Sequence, residues 1–135
     1  MNDTDFLKAF ESCTLPHDQF PRHAYICMAW LVLRRDGWEG GVQYIRDGIR
    51  RFASANGAAP KYHETITLFW ARVVHHAIAL APNITDFEQF IAAYPHLLDT
   101  TIITQHYSRE MLWSDAARHA WVEPDLQPLP ADMIR

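Results

Sequence analysis

The chain has 135 residues, 49% of them apolar and 21% charged, which suits one folded soluble domain with a real core and excludes a disordered segment. Its formal charge of −4 gives no global attraction to nucleic acid or to an anionic membrane. No apolar stretch reaches the ~18–20 residues of a membrane span. The start, Met1-Asn2-Asp3-Thr4-Asp5, lacks the basic-then-apolar layout of a signal peptide, so the cytoplasm is the expected compartment.

The elements read as helices joined by short turns. Asp3 or Thr4 can cap a first helix that runs to about residue 12. Pro16 and Pro21 then make a loop of residues 14–21. The second helix spans about 22–36. Its centre, from Tyr25 to Leu33, is apolar on every face, so it is expected to be the central element. Gly37 suits its C-cap. The third helix, about 38–55, carries one apolar stripe, Val42, Ile45, Ile49 and Phe52, with Arg46, Asp47, Arg50 and Arg51 opposite.

Asn56-Gly57 ends that helix, and Pro60 stands at the first-turn position of a long fourth helix reaching about residue 80. Pro82 stops it. Thr85-Asp86-Phe87-Glu88 has the form of a capping box and opens a short fifth helix ending at Tyr94-Pro95. A sixth helix is expected over 100–113, and a last turn or two through His119. The tail from Glu123 to Pro130 holds three prolines and cannot be helical. Period-two runs of β-branched residues are missing. The expected architecture is therefore all-α: one domain, 1–135, of four main helices and two or three short ones, with residues 121–135 as an extended tail packed on the bundle.

The chemistry-bearing residues gather at helix starts. Antiparallel packing of successive helices puts the second and fourth parallel, with their N-termini at one end. His17, His23 and Tyr25 lie at the start of the second helix; His63, Glu64 and Thr67 lie at the start of the fourth. A pocket there would bind a small polar or anionic ligand, with His63 as acid, base or donor and Glu64, Thr67, His23 and Tyr25 around it. Two other readings compete. His23, His63 and a carboxylate could hold a divalent metal, although no H-x-x-x-H or H-E-x-x-H spacing supports it. Alternatively, the aromatic-rich surface, with five Trp, five Tyr and seven Phe, could dock on a larger enzyme. The bland alternative is a pair of solvated first-turn residues.

His75 and His76 point about 100° apart on a helix and are not expected to share one ion. His106 and Glu110 read as a local i, i+4 helix pair. Arg109 and Arg118 could clamp an anion but are expected to tie down Glu123 and Asp125 of the tail. Cys13 and Cys27 give neither a disulfide framework nor a zinc-ribbon spacing. Gly40-Gly41 stands without the rest of a phosphate loop, and no nucleophile elbow or dinucleotide fingerprint is present. Gln43, Arg46, Arg50, Arg51 and Lys61 make a mildly basic face, without the aromatic interleaving of a nucleic-acid site. The residues decide neither for nor against an enzyme, and they indicate no cofactor.

The strings Tyr62-His63-Glu64-Thr65-Ile66-Thr67, Tyr107-Ser108-Arg109-Glu110 and Trp121-Val122-Glu123-Pro124-Asp125-Leu126 with Pro128-Leu129-Pro130 resemble a group of small uncharacterised bacterial helical proteins. The resemblance covers most of the chain from the second helix onward. It implies one compact helical domain and brings no activity, cofactor or partner.

Overall fold

The computed structural model describes residues 2–15 and 22–130. The chain is all-α, with no strand among the described residues. It divides into two compact units, Met1–Tyr62 and His63–Arg135.

In the first unit, α1 (Asp3–Glu11) is capped one residue earlier than expected. Asn2 takes the cap because its side-chain oxygen accepts from Asp5 N at 2.8 Å, which leaves Asp3 and Asp5 in the first turn beside the positive end of the helix dipole. α2 (Arg22–Ala55) is a continuous run of helix broken at Gly37, whose φ of 76° and ψ of −172° no other residue adopts without strain. The break turns the chain back on itself. In a straight helix, residues 33 and 41 stand about 12 Å apart along the axis. Here a β-carbon added at Gly41 would lie 3.0 Å from the Leu33 Cα. Residues 22–36 and 38–55 therefore form a helical hairpin, and Gly41 lets its arms touch.

The first arm buries Ile26, Met28, Ala29, Trp30, Val32 and Leu33, as its uniform apolar sequence requires. The second arm buries Ile45 and Phe52 of its predicted stripe. α1 docks on that arm through Phe10, which is fully buried, with its ring 6.0 Å from that of Phe52 and 6.1 Å from that of Tyr44. The expected loop of residues 14–21, and His17 within it, lies mostly outside the described residues.

The long helix expected from Pro60 starts later than the sequence suggests. Pro60 sits in a separate 3₁₀ turn, Ala59–Lys61, and α3 (Glu64–Leu80) begins only after it. Its inner face includes Phe69, Trp70, Val73, Val74 and Ala77. Asp86, rather than Thr85, caps α4 (Phe87–Ala93), accepting from Gln89 N at 3.0 Å.

The helix expected over 100–113 does not form. Residues Ile102–Gln105 make a 3₁₀ turn, and α5 (Arg109–Leu112) and α6 (Asp115–His119) are short helices capped by Ser108 and Ser114. Two serines that each accept a backbone N–H from three residues on compete successfully with helix continuation. His106 and Glu110 thus share no helix. His106 Nδ1 instead donates to the Gln127 carbonyl at 2.7 Å.

The tail is anchored, and mostly by hydrogen bonds to neutral groups. Leu126 N donates to His106 O, the Tyr107 hydroxyl donates to Val122 O at 2.7 Å, and Ser108 holds Asp125 through both its N–H and its hydroxyl. The expected arginine anchors do not take that role for Asp125. The Arg118 guanidinium lies 6.0 Å over the Trp113 ring, and a different arginine, Arg72, stacks 4.6 Å over Trp121.

Candidate functional site

His63 is the residue the sequence singles out, and its surroundings define what it can do. It is the N-cap of α3, and only 6% exposed. Its Nδ1 accepts the Ile66 backbone N–H at 3.1 Å, and its Nε2 meets the Leu112 carbonyl at 2.5 Å. A carbonyl accepts, so Nε2 carries the proton and Nδ1 does not. Both nitrogens are committed in the neutral ring. Burial holds its pKa below the ordinary 6.5, the Leu112 bond pulls the other way, and the charge of Arg118 lowers it further. Trp113 packs edge-on at 5.6 Å.

The neighbours extend the same lattice. Thr67 donates its hydroxyl to the His63 carbonyl at 2.9 Å, which ties the first turn of α3 to its cap. Thr65 is fully buried; its hydroxyl donates to Ala120 O at 2.7 Å and accepts from Val122 N at 3.3 Å. Glu64 is buried in the first turn, where the helix dipole favours a carboxylate. His63, Glu64 and Thr67 are thus brought together, and the start of α3 is fastened to the segment from Leu112 to Val122. His23 and Tyr25 belong to the first unit. His23 is exposed; Tyr25 is half-buried with the Arg22 guanidinium 5.6 Å from its ring, and burial pushes its hydroxyl pKa up.

Among the described residues, no group of three or more His, Cys, Asp or Glu side chains could hold a metal ion.

A second place, unremarked in the sequence, lies in the first unit. Glu11, Tyr44, Asp47 and Arg51 line an open cleft of about 460 Å³. The Tyr44 hydroxyl donates to Glu11 Oε2 at 2.8 Å, and Arg51 donates through Nε to the Glu11 carbonyl at 3.0 Å. Asp47 accepts from the Gln43 amide at 2.9 Å on both oxygens. Burial, with the Glu11 carboxylate beside it, raises the Tyr44 pKa and keeps its hydroxyl a donor. Tyr44, Asp47 and Arg51 recur at i, i+3 and i+7, so one helix face presents all three. That spacing was visible in the sequence. The arrival of Glu11 from α1 was not, because it depends on where Phe10 seats. The basic face expected around these residues is also divided: Arg50 stacks 4.9 Å over Tyr62 and Arg51 turns to Glu11.

Compared with known proteins, the chain matches no family model, no curated protein and no solved structure.

Proposed function

We propose that the chain binds a small polar ligand in the cleft of its first unit, and that His63 serves the fold. The observation that carries this reading is the cleft itself. Its volume falls in the range of small-molecule sites, and its polar groups are oriented in advance by bonds to Glu11. His63 offers a ligand no free ring nitrogen, because both are taken by backbone groups. Of the small polar or anionic ligand expected from the sequence, the polar part is kept, and the residues proposed to receive it change. A cytoplasmic setting goes with this reading and rests on the sequence alone. The test is an amide chemical-shift titration of the full chain with lysine, ethanolamine, acetate and phosphate. At least one probe should shift the amides around Glu11, Tyr44, Asp47 and Arg51 saturably. No response there from any probe would remove the reading.

A second reading, docking on a larger protein, is favoured by Trp113, which is 56% exposed beside His63. Exposed tryptophans are enriched at interface hot spots. Crosslinking in host extract should capture a partner that Trp113→Ala loses; capture of the same partner by that variant would exclude Trp113 from docking.

A further inference from the structure

Resting on the cleft reading above, the ligand's chemistry follows from an imbalance of charge among the four lining residues. Glu11 and Asp47 are carboxylates, and Arg51 is the single cation. Glu11 takes its hydrogen bond from a phenol and Asp47 from a carboxamide, both neutral donors. Among the described residues, neither carboxylate is closed by an ion pair. Arg35 lies 5.3 Å over the Tyr44 ring and feels the Glu11 charge, but its guanidinium grips Asp36 through Nε and Nη2 at 2.9 and 2.8 Å. Arg51 is turned by its Nε bond to the Glu11 backbone and not to either carboxylate. The Tyr44 hydroxyl points its proton at Glu11, so its oxygen lone pairs remain as acceptors.

The cleft is therefore rich in acceptors and carries one excess negative charge. We infer that it takes a small primary amine, whose ammonium group meets the Glu11 and Asp47 carboxylates. An ammonium supplies three donors to the carboxylate and phenol oxygens, whereas the Nη groups of Arg51 are themselves donors. A simple anion would face two carboxylates and one guanidinium, a net repulsion. Pairs this exposed contribute modestly and are screened by salt, so binding is weak, about millimolar, and falls as ionic strength rises.

The experiment uses the full chain and ethanolamine hydrochloride as the probe, followed by amide chemical shifts at low salt. Sodium acetate and sodium phosphate supply anion arms. Ethanolamine should shift the amides near Glu11 and Asp47 saturably, and added salt should weaken it. Both carboxylates sit on exposed helix positions, so Glu11→Gln with Asp47→Asn should fold normally and bind about tenfold more weakly. Saturable shifts with acetate or phosphate while ethanolamine stays silent would overturn the amine and keep the cleft. Undiminished ethanolamine binding in the double variant would overturn it too. Silence from every probe would remove the cleft reading itself.

Discussion

Gly48 faces Phe10 so closely that a β-carbon there would stand 2.4 Å from the ring's Cε2 and 2.7 Å from its Cζ. Phe10 is fully buried, so the ring has nowhere to swing. This glycine is what allows α1 to lie on the second arm of the α2 hairpin. The same seating brings Glu11 to Tyr44 and Arg51, so it also builds the cleft.

Gly48→Val should therefore destabilise the chain by about 2–3 kcal/mol through overpacking. Phe10→Ala should cost about 3–5 kcal/mol. The double variant should be clearly less destabilised than the sum, because the cavity left by the ring accepts the valine. Urea unfolding of the four chains measures this. Strict additivity would show that the two residues do not confront each other.

Helix existence was legible in the sequence, and helix ends were less so. The apolar centre of residues 25–33 and the stripe through Ile45 and Phe52 bury as their periodicity requires, and Gly37 stops the first arm where it was expected. The 100–113 helix failed because Ser108 and Ser114 have local bonding alternatives that periodicity does not weigh. His63 drew notice for its chemistry, yet its role as a cap depends on Leu112, distant in sequence. The cleft was hidden for the same reason: the closeness of Glu11 to Tyr44 depends on a buried glycine that carries no chemical signal of its own.

Replacing His63 separates its two bonds. His63→Ala loses the cap on Ile66 and leaves the Leu112 carbonyl without its donor, and should cost about 2–3 kcal/mol. His63→Asn can still cap and should recover about 1 kcal/mol of that. Thermal or urea unfolding reads both. An alanine variant as stable as the native chain would contradict the capping role.

Acid should destabilise the fold through the same ring. The folded His63 pKa lies below its ordinary 6.5, so the folded state binds fewer protons than the unfolded chain in this window. Its contribution is complete above about pH 6.5 and is lost as pH falls toward the lowered folded value. His75 is lowered as well, by burial first and then by His76, and adds to the same trend. Stability measured by urea from pH 8 to pH 5 should fall, and His63→Asn should flatten part of the slope. A slope unchanged by that substitution would assign the effect elsewhere.

Thr65 should hold the tail. Thr65→Val keeps the shape and removes the hydroxyl that joins Ala120 O to Val122 N, at a cost of about 1–2 kcal/mol. Amide hydrogen exchange at Val122 should accelerate in the variant. Removing residues 121–135 should lower the melting temperature further, by taking away the Val122 contact with Tyr107 as well. Unchanged exchange at Val122 would show that the tail is fastened by other groups.

The proposed division of labour gives binding to the Glu11 cleft and support of the fold to His63. One ethanolamine titration run side by side on the native chain, Asp47→Asn and His63→Asn tests that division most directly. Binding should weaken in Asp47→Asn and stay native-like in His63→Asn despite its lower stability. Loss of binding in His63→Asn with full binding in Asp47→Asn would contradict it.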